Sequence, residues 1–194
     1  MQVTAAQRAD CHALAVIHVT SWQAAYASLL PADYLASLSV ADREESWTSI
    51  LETSASRTLV AKRDGEALGF VTFGHCRDQG ASASKGEVWA LYVAPQAWSA
   101  GVGWALWEAA RVHMLHQGFT EVSLWVLSGN ARGLRFYQSI GFLREPHSEQ
   151  FFERGGARLA EVRLMFSGMS ANPSIERTAS GRLRLPAAAA YGEG

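Results

Sequence analysis

Residues 86–107, GEVWALYVAPQAWSAGVGWALW, change character halfway, and that change decides the fold. The first half, Glu87–Ala94, is apolar after its opening carboxylate and reads as a strand buried on both faces. Pro95 ends it. A short linker then leads to Gly101-Val102-Gly103, where an apolar segment with helical spacing begins. A turn of small residues at a helix start leaves backbone N–H groups unpaired at the positive end of the helix dipole, and it binds phosphate without needing a lysine. The two glycines alone would equally serve a loop that only needs a flexible backbone. A dinucleotide fold asks for G-x-G-x-x-G close after its strand; here position 106 is Leu106 and the glycines stand well past Pro95.

Downstream, residues 102–117 set Gly103, Leu106, Trp107, Ala110 and Met114 along one helical stripe, and Gly118 is placed to stop it. Glu121–Leu127 reads as a strand and Ala131–Ile140 as a helix. Gly141-Phe142 leads into one more strand, and Arg158–Phe166 alternates as the last. Upstream, a short strand at Gln2–Thr4 precedes an amphipathic helix over Arg8–Leu30, with Leu14, Ile17, His18, Ser21, Trp22, Ala25 and Tyr26 three and four apart. Ala32–Leu38, behind Pro31, and Asp42–Leu51 read as shorter helices. Thr58–Ala61 and Ala67–Gly74 flank Asp64-Gly65, a dipeptide suited to a tight hairpin turn. Helices alternating with strands predict an α/β fold: a mixed sheet with helices on its faces.

A second block, NARGLRFYQSIGF over Asn130–Phe142, sets Asn130 and Tyr137 two helical turns apart on one face. Taken singly they read as an N-cap and a core aromatic. Together, N-x-x-G-x-x-F-Y-x-x-x-G-F and the 98–103 turn resemble the two acetyl-CoA motifs of the GNAT (N-acetyltransferase) superfamily, with the likeness covering about residues 3–166.

The resemblance implies a central sheet splayed to grip acetyl-CoA, and direct transfer of an acetyl group from that co-substrate to an amine. Leu91, Tyr92 and Val93 would pair by backbone with the pantetheine arm. Trp98, Ser99, Ala100, Gly101, Val102, Gly103 and Trp104 would form the pyrophosphate turn, with Asn130, Arg132, Gly133 and Phe136 beside it. Trp98 and Ala100 depart from the polar or basic residues common in the family; Arg132 and Arg135 are placed to supply positive charge. Tyr137 would sit beside the sulfur and assist the departing thiolate, and Glu87 would take the proton of the acceptor ammonium. Trp22, Tyr26 and Trp89 would line an acceptor pocket suited to an ammonium by cation–π contact. The acceptor stays open among protein N-termini or lysines, aminoglycosides, polyamines and amino acids. A non-catalytic acyl-CoA-binding or sensor module on the same fold is the alternative function.

The chain has 194 residues, 48% hydrophobic and 18% charged, enough for one domain with a sizeable core. A net charge of -1 argues against nonspecific nucleic-acid binding. No stretch approaches the ~20 apolar residues of a membrane span, and the N-terminus lacks a signal peptide's pattern; a cytoplasmic protein is expected. Cys11 and Cys76 read as free, buried thiols. His113 and His116 have no third ligand at a suggestive spacing, so no metal is expected. A homodimer is left open. Residues 1–167 are expected to form the acetyltransferase domain, and 168–194 a disordered tail with little apolar content.

Overall fold

In the computed structural model, which describes residues 1–53 and 55–169, Asp64 and Gly65 take φ of 52° and 85°. Both values suit the tight turn that their sequence specifies. The turn joins β2 (Ser56–Arg63) to β3 (Glu66–His75). Before this hairpin come β1 (Gln2–Ala5), α1 (Cys11–Ala25), α2 (Ala32–Ala36) and α3 (Val40–Glu52). After it come β4 (Lys85–Val93), α4 (Val102–His116), β5 (Glu121–Leu127), α5 (Ala131–Ser139), β6 (Leu143–Arg144), β7 (Gln150–Arg154) and β8 (Ala157–Phe166).

The strands lie in the order β1-β2-β3-β4-β5-β8-β6, with β7 also on β8. Among them β4 and β5 are the parallel pair, and the rest pair antiparallel. A parallel pair needs a crossover, and α4 supplies it. This is the α/β fold with a mixed sheet that the alternation predicts.

Two faces sort the core. A Cβ on Gly69 would meet Val102 and Leu106, so α4 packs closely on that face. On the opposite face Trp47 meets Phe70, Phe70 meets Tyr92, and His18 stacks on Tyr92, which sets α1 and α3 there. Phe70, Phe73, Leu106 and Met114 are fully buried. Each such side chain contributes about 1.5–3 kcal/mol by leaving water.

Several expectations need correcting. The long helix expected over 8–30 is α1 alone, flanked by a 3-10 turn at Arg8–Asp10 and by turns after Ala25. β7 has no counterpart in the sequence reading. β4 is buried only at Gly86, Glu87 and Val88; Trp89–Val93 is half-buried because β5 has diverged from it. Cys11 is buried and Cys76 half-buried, both free. Met169, on the tail side of the expected boundary, is 4% exposed within the main core. The rest of the expected tail, 170–194, lies outside the described residues. Among the described residues no helix is long and apolar enough to cross a membrane.

Candidate active site

β4 and β5 pair from Lys85↔Glu121 to Val88↔Leu124 and no further. On the other side of β4, Thr72 pairs with Ala90 but Phe73 with Val88, so Trp89 is the extra residue of a β-bulge. A bulge bends its strand and raises the local twist, which aims the end of β4 away from β5. Beyond Val88 the alternate amides of β4 that point toward β5 have no ladder partner among the described residues. A cleft of about 830 Å³ opens between the strands. Its end is held from two sides: Ser21 Oγ and Trp98 Nε1 both donate to the Val93 carbonyl, at 2.9 and 2.8 Å.

The turn after β4 closes one end of this cleft. Ser99 and Gly101 take φ of 62° and 78°, and α4 begins behind them. Within residues 99–105 the first amide to find a backbone carbonyl is that of Ala105, on Gly101 at 3.1 Å. Among the described residues those before it are the orphan donors of a helix start. A Cβ on Gly103 would lie 3.2 Å from the Phe136 ring, so a side chain here would press on the contact between α5 and the first turn of α4. Trp98 carries Arg132 over its ring at 4.3 Å, so the aromatic departure from the family pattern brings a guanidinium to the turn. Arg135 lines the cleft as well.

Asn130 caps α5, its Oδ1 accepting from Gly133 N–H at 2.9 Å. A Cβ on Gly133 would fall 2.7 Å from the Asn130 amide nitrogen, so the cap needs glycine there. Seven residues on, Tyr137 enters the cleft and packs against Phe136 and Phe142. Burial raises the Tyr137 phenol above its usual 10, and nearby Tyr92 adds to this. Tyr26 and Tyr92 are likewise raised, chiefly by burial. These phenols stay protonated at neutral pH and can act as hydrogen-bond donors.

Nearly every residue named from the sequence lines this one cleft: Trp22, Tyr26, Trp89, the 91–93 strand, and the turn and helix residues of both motifs. Ala100 and Glu87 do not. Glu87 is 2% exposed, and Arg77 engages both its oxygens. The Arg77 backbone N–H donates to Oε2 at 2.9 Å, Nε donates to Oε1 at 3.0 Å, and a second guanidinium nitrogen also bonds Oε1. A carboxylate held this way reaches an ammonium only if Arg77 swings out. Arg77 itself lines the cleft, 4.8 Å over the Trp89 ring.

Sequence reasoning also missed a smaller pocket beside the cleft, lined by His18, Arg43, Trp47 and Arg154 among others. Nothing local marks these residues: Arg43 reads as a charge on a solvated helix, and Arg154 belongs to the unforeseen β7. His18 lay on the inward stripe of its helix, the one signal available. Its two ring nitrogens have no hydrogen-bond partner among the described residues. Burial first, then Arg43 and Arg154, lower its pKa from 6.5 to about 4, so the ring is neutral at pH 7.

Comparison with known proteins agrees with this geometry. The model of the Acetyltransferase (GNAT) family matches residues 5–142. The chain is 33% identical over 170 residues to the N-acetyltransferase YuaI of Bacillus subtilis, covering 87% of this chain and 94% of that one. It is 36% identical over 87 residues to a mycothiol acetyltransferase of Thermobispora bispora, a match spanning only 30% of that longer protein. Among solved structures it resembles the PaiA N-acetyltransferase of Thermoplasma acidophilum in complex with coenzyme A, at TM-score 0.65 and 23% identity, covering 83% of this chain and 98% of that one. It also resembles YncA of Salmonella typhimurium with acetyl-CoA, at TM-score 0.65 and 19% identity, covering 93% and 97%.

Proposed function

Since the chain belongs to the acetyltransferase (GNAT) family, we propose that it transfers the acetyl group of acetyl-CoA directly to a primary amine within the β4–β5 cleft. The observation that carries this reading is the splay itself: the parallel ladder stops at Val88↔Leu124, and both family motifs line the gap beyond it. The residues fit acetyl-CoA. Orphan amides at 99–104, with Arg132 and Arg135 near, suit a pyrophosphate. The free edge of β4 suits an amide-bearing chain. A protonated phenol at Tyr137 suits a sulfur that gains negative charge.

In the reaction the C–S bond of the thioester breaks and a C–N bond forms; the amine loses a proton and the thiolate gains one. Tyr137 serves best as a hydrogen-bond donor. Its phenol, raised above 10, is a weaker acid than a thiol near ~8.5, so complete proton transfer to the sulfur is uphill. Glu87 acts through Arg77 as a positioning residue, holding the guanidinium at the cleft wall.

The test measures CoA release from acetyl-CoA over a panel of amines, then repeats it against pH with two variants. Tyr137→Phe should lower kcat by about 10²–10³-fold, the scale of one lost donor to developing negative charge, with acetyl-CoA binding little changed. Glu87→Gln should raise the acceptor KM at all pH values. A kcat loss in Glu87→Gln that shrinks at high pH would make Glu87 the base instead. No acetylated amine in the panel, with acetyl-CoA still bound, would favour the sensor module.

A further inference from the structure

The smaller pocket has a charge that acetyl transfer alone does not require. It holds about 380 Å³, and Trp22, Arg77, Trp89, Ala90, Tyr92 and Arg154 line both it and the main cleft, so the two are continuous. Its walls combine aromatic rings, among them Trp22, Trp47 and Trp89, with the hydroxyl side chains of Ser46 and Thr72. Its charged lining is three guanidiniums, Arg43, Arg77 and Arg154, and among the described residues no carboxylate joins them. The one carboxylate of the main cleft, Glu161, accepts from Gln150.

Arg77 is balanced by Glu87. Arg43 and Arg154 form no ion pair among the described residues, although eight such pairs occur there besides Arg77–Glu87. Arg43 comes from α3 and Arg154 from β7, yet both act on the same neighbours: each disfavours a charge on His18 and favours one on Tyr92. Two uncompensated cations over one concave aromatic pocket repel a cationic guest and attract an anion. The same field lowers the pKa of an ammonium placed beside it, which assists the loss of its proton in a pocket whose described lining holds no carboxylate.

Building on the acetyl-transfer reading, we propose that the acceptor is a small primary amine that also carries an anionic group, a carboxylate or a phosphonate. Arg43 and Arg154 hold the anion, and the body of the molecule lies against Trp22 and Trp89. Polyamines and aminoglycosides are the disfavoured acceptors.

The test compares matched amines at saturating acetyl-CoA: L-amino acids against their carboxamides, 2-aminoethylphosphonate against ethanolamine, and spermidine and kanamycin as polycations. At least one anionic amine should exceed its neutral counterpart and both polycations in kcat/KM by about tenfold, the scale of one charge-assisted hydrogen bond. Arg43→Gln should remove most of that preference through the acceptor KM, leaving the carboxamide and the acetyl-CoA KM unchanged; Arg43→Lys should restore part of it. A neutral amide or polycation acetylated better than every anionic amine overturns the proposal and leaves the acetyl-transfer reading standing. So does an anionic preference that Arg43→Gln leaves intact. Should no amine react, thermal melts of the CoA complex with the same anionic amines decide: a shift that Arg43→Gln abolishes supports the anion site, and no shift overturns it. Acetyl-CoA that neither binds nor reacts removes the parent reading and this one together.

Discussion

His18 lies among Trp22, Trp47 and Tyr92 on α1 and is held neutral by burial and by two nearby arginines. The unfolded chain takes up a proton near pH 6.5, but the folded one waits until about 4. Between those values the unfolded state binds more protons, so stability falls as pH falls through that window. The gap corresponds to at most on the order of 3 kcal/mol. Thermal melts from about pH 8 down to about 4 should show the wild type losing stability below 6.5, and His18→Phe losing clearly less. Equal losses would assign the effect to other groups. Helical spacing put His18 on the inward face but could not say what would meet it there. Glu87 teaches the same lesson. Its place at the head of β4 was legible, whereas its capture by Arg77 depends on how a loop ten residues earlier folds back over the strand.

At the scale of elements, α4 and β5 stood out in the sequence because their periods are long and uninterrupted, and β5 falls at Glu121–Leu127 as read. β7 did not. Gln150–Arg154 has five residues, mostly exposed, and pairs only with β8, so no alternation of buried and exposed side chains marks it. The contact between α4 and α5 was equally hidden: Gly103 read as part of a phosphate turn, and its second duty, making room for Phe136, emerges only in three dimensions. That duty can be tested. Acetyl-CoA at about 100 times its Kd should stabilise the fold by about 2.7 kcal/mol, or roughly 5–10 °C in Tm for a domain this size, and NAD should do far less. Gly101→Ala meets nothing within 4 Å and bears only the cost of a positive φ, about 1 kcal/mol, so most of the ligand shift should survive. Gly103→Val pushes Phe136 and α5 off the turn, so the shift should fall below about half even at pH values where the free protein is well folded. If the two variants rank the other way, backbone freedom at Gly101 matters more than helix packing at Gly103.

For the whole molecule, a single side chain carries the described core past the edge that composition suggests. Composition turns polar after Phe166, which makes residue 167 the natural edge from sequence. Two residues further on, Met169 is nonetheless buried in the main core, and Gly168 leaves no room for a Cβ beside Phe166. One apolar residue in a polar stretch carries no period, so only the packed fold can reveal that it is a core residue. The low apolar periodicity of residues 171–194 predicts that a chain cut after Ser170 melts like the full-length protein and keeps its acetyl-CoA shift. A chain cut after Ser167 loses Met169 and should lose about 2–5 kcal/mol, the range for deleting a buried methionine side chain. At roughly 2–4 °C per kcal/mol, that is a Tm lower by about 4–20 °C. Met169→Ala in the full-length chain should reproduce most of the drop, which separates loss of the side chain from loss of the backbone. Should both truncations melt alike, the Met169 contact contributes little and the body ends where composition first turns polar. A chain cut after Ser170 that melts below the full-length protein would instead mean that residues 171–194 contribute to the fold.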